Sequence, residues 1–166
     1  MIKTKNKAFD AYLESFQAID LPITLTEELS SVFSSENKPL KDEHIAAFIV
    51  DENDDIDEFT EYVPCFQLKA TEYFKAVVYW KAMLMESKYV LTVYKTTGER
   101  ISSTELSKLS HDANEVTRSI ATIDEDWQIV IARGTDNPEA DYDPSSSQML
   151  ILEIMPDGTI VKADKR

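Results

Sequence analysis

Three times between Tyr73 and Lys162 the chain repeats one local plan: an alternating apolar run, a tight polar turn and a second alternating run. Val90 to Tyr94 turns at Thr96-Thr97-Gly98 and returns through Arg100-Ile101-Ser102. Ile120 to Ile123 turns at Asp124-Glu125-Asp126 and returns as Trp127 to Ile131, and Leu150 to Met155 turns at Pro156-Asp157-Gly158 and returns as Thr159-Ile160-Val161. β-Branched and aromatic residues on both sides of a short polar turn predict hairpins, and Asp-Gly after proline is the strongest of the three turns. A chain built this way is committed to antiparallel sheet, because parallel strands need a crossover helix between them. The first strands of the three copies start at Val90, Ile120 and Leu150, a spacing of 30 residues. The copies share pattern and not identities, so a meander explains the spacing better than an internal duplication.

The first third has the other periodicity. Phe9, Tyr12, Leu13 and Phe16 fall on one helical face, and Leu21-Pro22 is expected to stop that helix. Thr24 or Thr26 can cap a second helix through Leu29, Val32 and Phe33, and Asp42 a third through Ile45, Ala46, Phe48 and Ile49. From Val63 the period becomes two. Phe66 and Leu68 are expected on one side and Val63, Cys65 and Gln67 on the other. In the next run Phe74, Ala76, Val78, Trp80, Ala82 and Leu84 form a continuous apolar face, opposite a mixed face of Tyr73, Lys75, Val77, Tyr79, Lys81 and Met83 that fits a solvated or partly covered surface. The stretch from Lys81 to Lys88 also has helix-forming composition.

Charge is the unusual bulk property. The 166 residues carry 31 acidic and 17 basic side chains, a net charge of −14. A phosphate backbone would be repelled by this surface, and no Lys/Arg cluster interleaved with aromatics offsets it, which argues against nucleic-acid binding. The longest apolar runs, Ala76 to Trp80 and Ala82 to Met85, fall far short of the ~18 residues that span a bilayer. No apolar core follows the basic residues Lys3, Lys5 and Lys7, so the start does not read as a secretory signal, and a cytoplasmic setting is expected unless a leader has been removed.

No residue set reads as a catalytic or cofactor centre. With His44, His111 and Cys65 as the only His and Cys, a structural zinc site has too few ligands. Ser110-His111-Asp112 has the residue types of a hydrolytic triad, but sequence neighbours cannot converge as that mechanism requires, and a polar turn is the expectation. Cys65 sits between Pro64 and Phe66 in an expected strand and reads as a buried, inert thiol. Gly98, Gly134 and Gly158 are isolated, leaving no glycine-rich phosphate loop and no expected cofactor.

The acidic segment Asp51, Glu52, Asp54, Asp55, Asp57 and Glu58 is the candidate partner-binding site. As a calcium loop starting at Asp51 it fails twice, with Ile56 where glycine is needed and Tyr62 where a bidentate glutamate is needed. It remains a solvated connector, a docking patch for a basic protein, or a weak divalent-ion site. A second acidic stretch, Asp136 to Asp143 followed by Pro144-Ser145-Ser146-Ser147, carries the same choice.

A Leu-Pro pair after a short N-terminal helix (Leu21-Pro22), followed by the hairpin from Tyr89 through Tyr94, Gly98 and Ile101 to Ser102, resembles a loose group of small uncharacterised bacterial β-rich proteins. The resemblance covers about half of the chain, rests on hairpin grammar, and implies a fold without implying an activity or a catalytic residue. The expected architecture is one α+β domain. Short helices in residues 1–50 pack on an antiparallel meander of seven or eight strands in residues 63–166, either open or barrel-like, with residues 51–62 as the acidic connector. The expected function is a non-enzymatic acidic interaction module, such as an inhibitor or immunity-type protein for a basic partner. The alternatives are a carrier with an apolar cavity lined by Phe74, Trp80, Tyr94 and Trp127, and a carboxylate-dependent hydrolase.

Overall fold

The computed structural model describes residues 2–50, 59–69, 72–112, 115–136 and 148–163. The chain runs α1 (Ile2–Leu13), β1 (Gln17–Ile19), β2 (Ile23–Leu25), α2 (Glu27–Glu36) and α3 (Asp42–His44), which continues into a π-helical turn, Ile45–Ile49. Eight longer or terminal strands follow: β3 (Glu61–Leu68), β4 (Phe74–Ala82), β5 (Glu86–Lys95), β6 (Arg100–Asp112), β7 (Glu115–Ile123), β8 (Gln128–Asp136), β9 (Gln148–Ile154) and β10 (Ile160–Lys162).

The ten strands among the described residues belong to one open sheet in the order β1-β3-β4-β5-β6-β7-β8-β9-β10, with β2 paired to β7 off that path. The class is the expected α+β antiparallel meander. The strand number is larger than the expected seven or eight, and the sheet is not closed into a barrel. The two extra strands lie in the first third, where only helices were expected. β1 lies parallel to β3, with Gln17 opposite Phe66, and β2 lies antiparallel to β7, with Ile23 opposite Ile123. Leu21-Pro22 therefore does not end a helix: α1 stops at Leu13, and the Leu21–Pro22 bond, which is cis, separates β1 from β2.

All three expected hairpins are present. Lys95 N–H donates to Glu99 O at 2.7 Å, Asp124 N–H to Gln128 O at 2.9 Å and Met155 N–H to Thr159 O at 2.8 Å. A fourth, β4–β5, resolves the ambiguity at Lys81 to Lys88 in favour of strand, with Met83 N–H closing on Glu86 O at 2.8 Å. The apolar face of β4 therefore ends before Leu84, which stands 72% exposed in the turn. Ser110-His111-Asp112 is not a turn but the last paired stretch of β6, opposite Thr117, Val116 and Glu115. At the helix starts, Thr26 and Lys41 occupy the N-cap positions and neither caps with its side chain, so Asp42 lies one position inside α3.

The curled sheet has two cores. On the inner face Phe66, Leu68, Phe74, Val78, Leu91, Val93 and Leu106 meet Ala121, Ile123, Ile129, Ile131 and Ile154 from the other half, together with Phe33 of α2. Trp80 is only half-buried there, with its ring 4.6 Å from that of Tyr89. The opposite face of β4 and β5, expected to be solvated or partly covered, is a second core: Val77, Tyr79, Val90 and Tyr94 are sealed by Phe9 and Tyr12 of α1, by Phe16 just after it and by Phe48. The helical stripe and the mixed strand face are thus complementary halves of one interface, which covers Val77 and Tyr79 while leaving Lys75 and Lys81 at its margin.

Strict alternation in β3 breaks at Cys65. Pro64 lies opposite Tyr79 and Phe66 opposite Val78, so one residue is inserted as a β-bulge. Val63, Cys65, Phe66 and Leu68 consequently share the inner core, correcting the expected separation of Val63 and Cys65 from Phe66. Asn37 secures the bulge, its Nδ2 donating to Pro64 O at 2.8 Å and to Cys65 O at 3.4 Å. Beyond the bulge Gln67 faces the helices, and its Nε2 donates to Leu13 O at 2.9 Å and Phe16 O at 2.8 Å, tying the end of α1 to β3. Replacing Gln67 with Leu leaves these half-buried carbonyls without that donor. The expected loss is about 1–3 kcal/mol in a urea titration, and an unchanged midpoint would show that water substitutes for the side chain.

Candidate functional site

Asp51, Glu52, Asp54, Asp55, Asp57 and Glu58 lie outside the described residues, as does the stretch from Asn137 to Ser147 in the second acidic loop. The structure does show how the first segment is tethered. It leaves the π-helical turn after Val50, whose N–H bonds to Ile45 O at 3.0 Å, and the chain re-enters at Phe59 before β3. Tyr94 Oη donates to Phe48 O at 2.8 Å and Arg100 Nη2 to Ile49 O at 3.2 Å, so strand side chains hold the departing backbone. Because Tyr94 donates its proton to Phe48 O, Tyr12 Oη must be the donor in its 2.9 Å bond to Tyr94 Oη. Phe48, near the end of the helical layer, is therefore held by a buried relay, Tyr12 to Tyr94 to Phe48.

A cleft of about 400 Å³ opens beside this layer between the end of α1 and the α2–α3 connection. Glu14, Glu36, Lys38 and Lys41 form a rim of both signs, and His44 contributes to its wall. His44 is 6% exposed, its ring packs edge-on to Tyr12 at 6.0 Å, and its Nδ1 has no hydrogen-bond partner among the described residues. From sequence, His44 enters only as a would-be zinc ligand. Its one available signal was position, a polar ring one turn before Phe48 on an apolar stretch. Among the described residues no group of three or more His, Cys, Asp or Glu could hold a metal ion.

The other groups considered from sequence do not converge. Phe74, Trp80 and Trp127 belong to the inner core, where Phe74 and Trp127 meet edge-on at 5.2 Å, whereas Tyr94 belongs to the helical core on the opposite face. These four aromatics therefore do not line a common cavity. Cys65 is fully buried, and burial pushes its thiol well above the ordinary value of 9.0, away from nucleophilic character. Carboxylates on β5 and β6 are matched by lysines: Glu105 and Glu86 flank Lys88, and Glu86 reaches Lys108 at 2.7 Å. Partial burial alone would raise the Glu105 pKa, but the bond and charge of Lys88, with Lys108 and Arg133, hold it below the usual range.

No helix among the described residues is long and apolar enough to cross a membrane. Searches of protein-family models, curated proteins and solved structures returned no match to this chain.

Proposed function

We propose that the protein is a non-catalytic binding module whose acidic segment, Asp51 to Glu58, docks a basic protein. The observation that carries this reading is charge density. Residues 42–68 contain nine carboxylates (Asp42, Glu43, Asp51, Glu52, Asp54, Asp55, Asp57, Glu58 and Glu61) and no Lys or Arg. Such a stretch repels itself, and a cationic surface relieves that repulsion while speeding encounter in a salt-dependent way. The bonds holding Phe48 and Ile49 support the reading, because a tethered segment loses less freedom on binding than a free tail. A small acidic inhibitor of a basic enzyme, such as an immunity-type protein covering a toxic nuclease, is the concrete version.

The test is a low-salt capture of host proteins with the wild type and with a variant carrying Asp54→Asn, Asp55→Asn, Asp57→Asn and Glu58→Gln. The expected result is a basic protein retained by the wild type, released by ~0.5 M salt and lost from the variant. If both retain the same proteins, or neither retains any, the segment is a solvated connector.

A further inference from the structure

The two halves of the sheet differ on their outer faces. Over β4 and β5 that face is sealed by α1 and the π-helical turn. Over β7 to β9, no helix among the described residues covers the corresponding face. The core residues there are Ala121, Ile123, Ile129, Ile131, Leu152 and Ile154, so the residues between them point outward. Ile120 lies opposite Ala132 and Ala132 opposite Met149; in the next row Thr122 lies opposite Val130 and Val130 opposite Ile151. Ile120 and Met149 are 48% and 58% exposed, and Val161 on β10 is 40% exposed. These rows run into a groove of about 690 Å³ lined by Gln128, Ile151, Glu153, Met155, Val161 and Lys162. Ile120, Ala132 and Met149 are exposed and Val130 and Ile151 beside them half-buried, and such a contiguous apolar patch ending in a groove has the form of an interaction surface rather than of scattered surface residues.

Charge says what suits this surface. The β7–β8 and β9–β10 turns lie at the same end of the meander, where Trp127 O accepts the Ile154 N–H at 3.0 Å. That end carries Asp124, Glu125, Asp126, Glu153 and Asp157, with Lys162 nearby and Lys69, which is paired to Asp20 at 3.1 Å, beside Glu125. Asp124 Oδ1 accepts N–H bonds from Asp126 and Gln128, and Asp157 Oδ1 accepts from Thr159, so both turns are held in place. Arg118 is paired to Glu27 at 3.2 Å at the other end. An anionic membrane is repelled by the carboxylate end, and a second copy of a chain with net charge −14 would bring like charge against it. The molecule's own means of covering an outer face is a helix with an apolar stripe.

We propose that the outer face of β7 to β10 seats an amphipathic cationic helix of the basic partner, its apolar side on Ile120, Val130, Met149 and Ile151 and its cationic end over the carboxylates of the two turns. This rests on the reading of a basic protein partner and adds a second, apolar contact for it. Helix-in-groove docking of this kind draws affinity from the apolar anchors and orientation from the charged end.

The test uses a synthetic 14-residue Leu/Lys amphipathic helical peptide, titrated into the isotope-labelled full chain and followed by amide chemical shifts. Shift changes are expected to cluster on β7, β8, β9 and β10. The double variant Ile120→Lys, Met149→Lys, at exposed sites that leave the core intact, should bind at least tenfold more weakly with unchanged circular dichroism. A Leu/Gln peptide of the same length should bind at least tenfold more weakly than Leu/Lys. Equal binding by the double variant, or shifts centred on another face, overturns the proposal. Concentration-dependent dimers in sedimentation, abolished by the same double variant, also overturn it by assigning the face to a second copy. The variant neutralised at Asp54, Asp55, Asp57 and Glu58 separates the two readings. If it keeps the peptide on this face but the acidic-segment capture fails, the earlier reading falls alone; if it loses the peptide while the double variant retains it, this surface falls alone.

Discussion

Between pH 9 and pH 11 the protein should lose on the order of 5 kcal/mol of folding stability, comparable to the whole stability of many small domains. The cause is a set of buried acids. Burial, followed by the charge and hydrogen bond of Tyr94, pushes Tyr12 well above the ordinary tyrosine value of 10.0. Burial likewise raises Tyr94 and Tyr89 above 10.0, and Cys65 above 9.0, despite bonds that partly oppose it. In this range the folded chain keeps these protons and the unfolded chain releases them. Stability is therefore fully present below the unfolded values and falls as pH rises past them toward the folded ones. Each pH unit above a group's unfolded pKa costs about 1.4 kcal/mol, so at pH 11 Tyr12 and Tyr94 contribute about 3 kcal/mol and Cys65 about as much again. Urea titrations at pH 8, 9, 10 and 11 should show the midpoint dropping over the last two steps. In Tyr12→Phe the drop should be shallower by about one tyrosine's share. A midpoint constant up to pH 11 would mean that these groups reach solvent before the chain unfolds.

The second large effect sits at Gly158. Its φ is +91°, and a Cβ built there would lie 2.9 Å from Ile101 Cδ1 and 2.9 Å from Val93 Cγ1, with Phe74 Cβ at 3.3 Å. Gly158→Val thus combines a left-handed backbone that a β-branched residue tolerates poorly with overfilling of a dense part of the core. The two terms are each about 1–3 kcal/mol, so the expected loss is about 2–6 kcal/mol. Gly158 also places its carbonyl to accept the Ser102 Oγ–H bond at 2.9 Å, so the damage should reach the contact between the β9–β10 turn and β6. Gly134 is the internal control, because nothing lies within 4 Å of its Cβ position and its φ is not in the left-handed range. Gly134→Ala should change stability by less than about 1 kcal/mol, with a gain as plausible as a loss. Similar costs at both positions, measured by thermal or urea unfolding, would show that the turn relaxes away from Phe74.

Gly158 also illustrates which parts of the fold were legible. The three hairpins could be read because their instructions are local: Gly98, Asp124-Glu125-Asp126 and Asp157-Gly158 each force a reversal within a few residues. Alternation then carried the strand directions. It failed at Cys65, where one inserted residue moves Val63 onto the side of Phe66, an event that leaves no mark on residue types. It also could not show that Val77 and Tyr79 would be covered, since that depends on α1 arriving from about 65 positions earlier in the chain. The three-residue strands β1 and β2 were invisible for the same reason. Isolated Gln17-Ala18-Ile19 has no strand signal, and only its partner Phe66-Gln67-Leu68 makes it one. Of the candidate surfaces, the acidic segment was visible as composition. The apolar outer face was hidden because Ile120, Met149 and Ile151 alternate with core residues that are equally apolar, so the runs look continuously buried.

The pairing of β2 with β7 sets an order of events for a chain made from its N-terminus. Ile23 finds Ile123, and Leu25 finds Ala121, only after some hundred further residues have been synthesised. Until then the first 25 residues have no complete set of partners, and the apolar stripe of α1 waits likewise for β4 and β5. A nascent chain of this protein therefore carries Phe9, Tyr12 and Phe16 without their partners until β5 has been made, and Leu25 until β7 has been made, a window for a holding chaperone to bind.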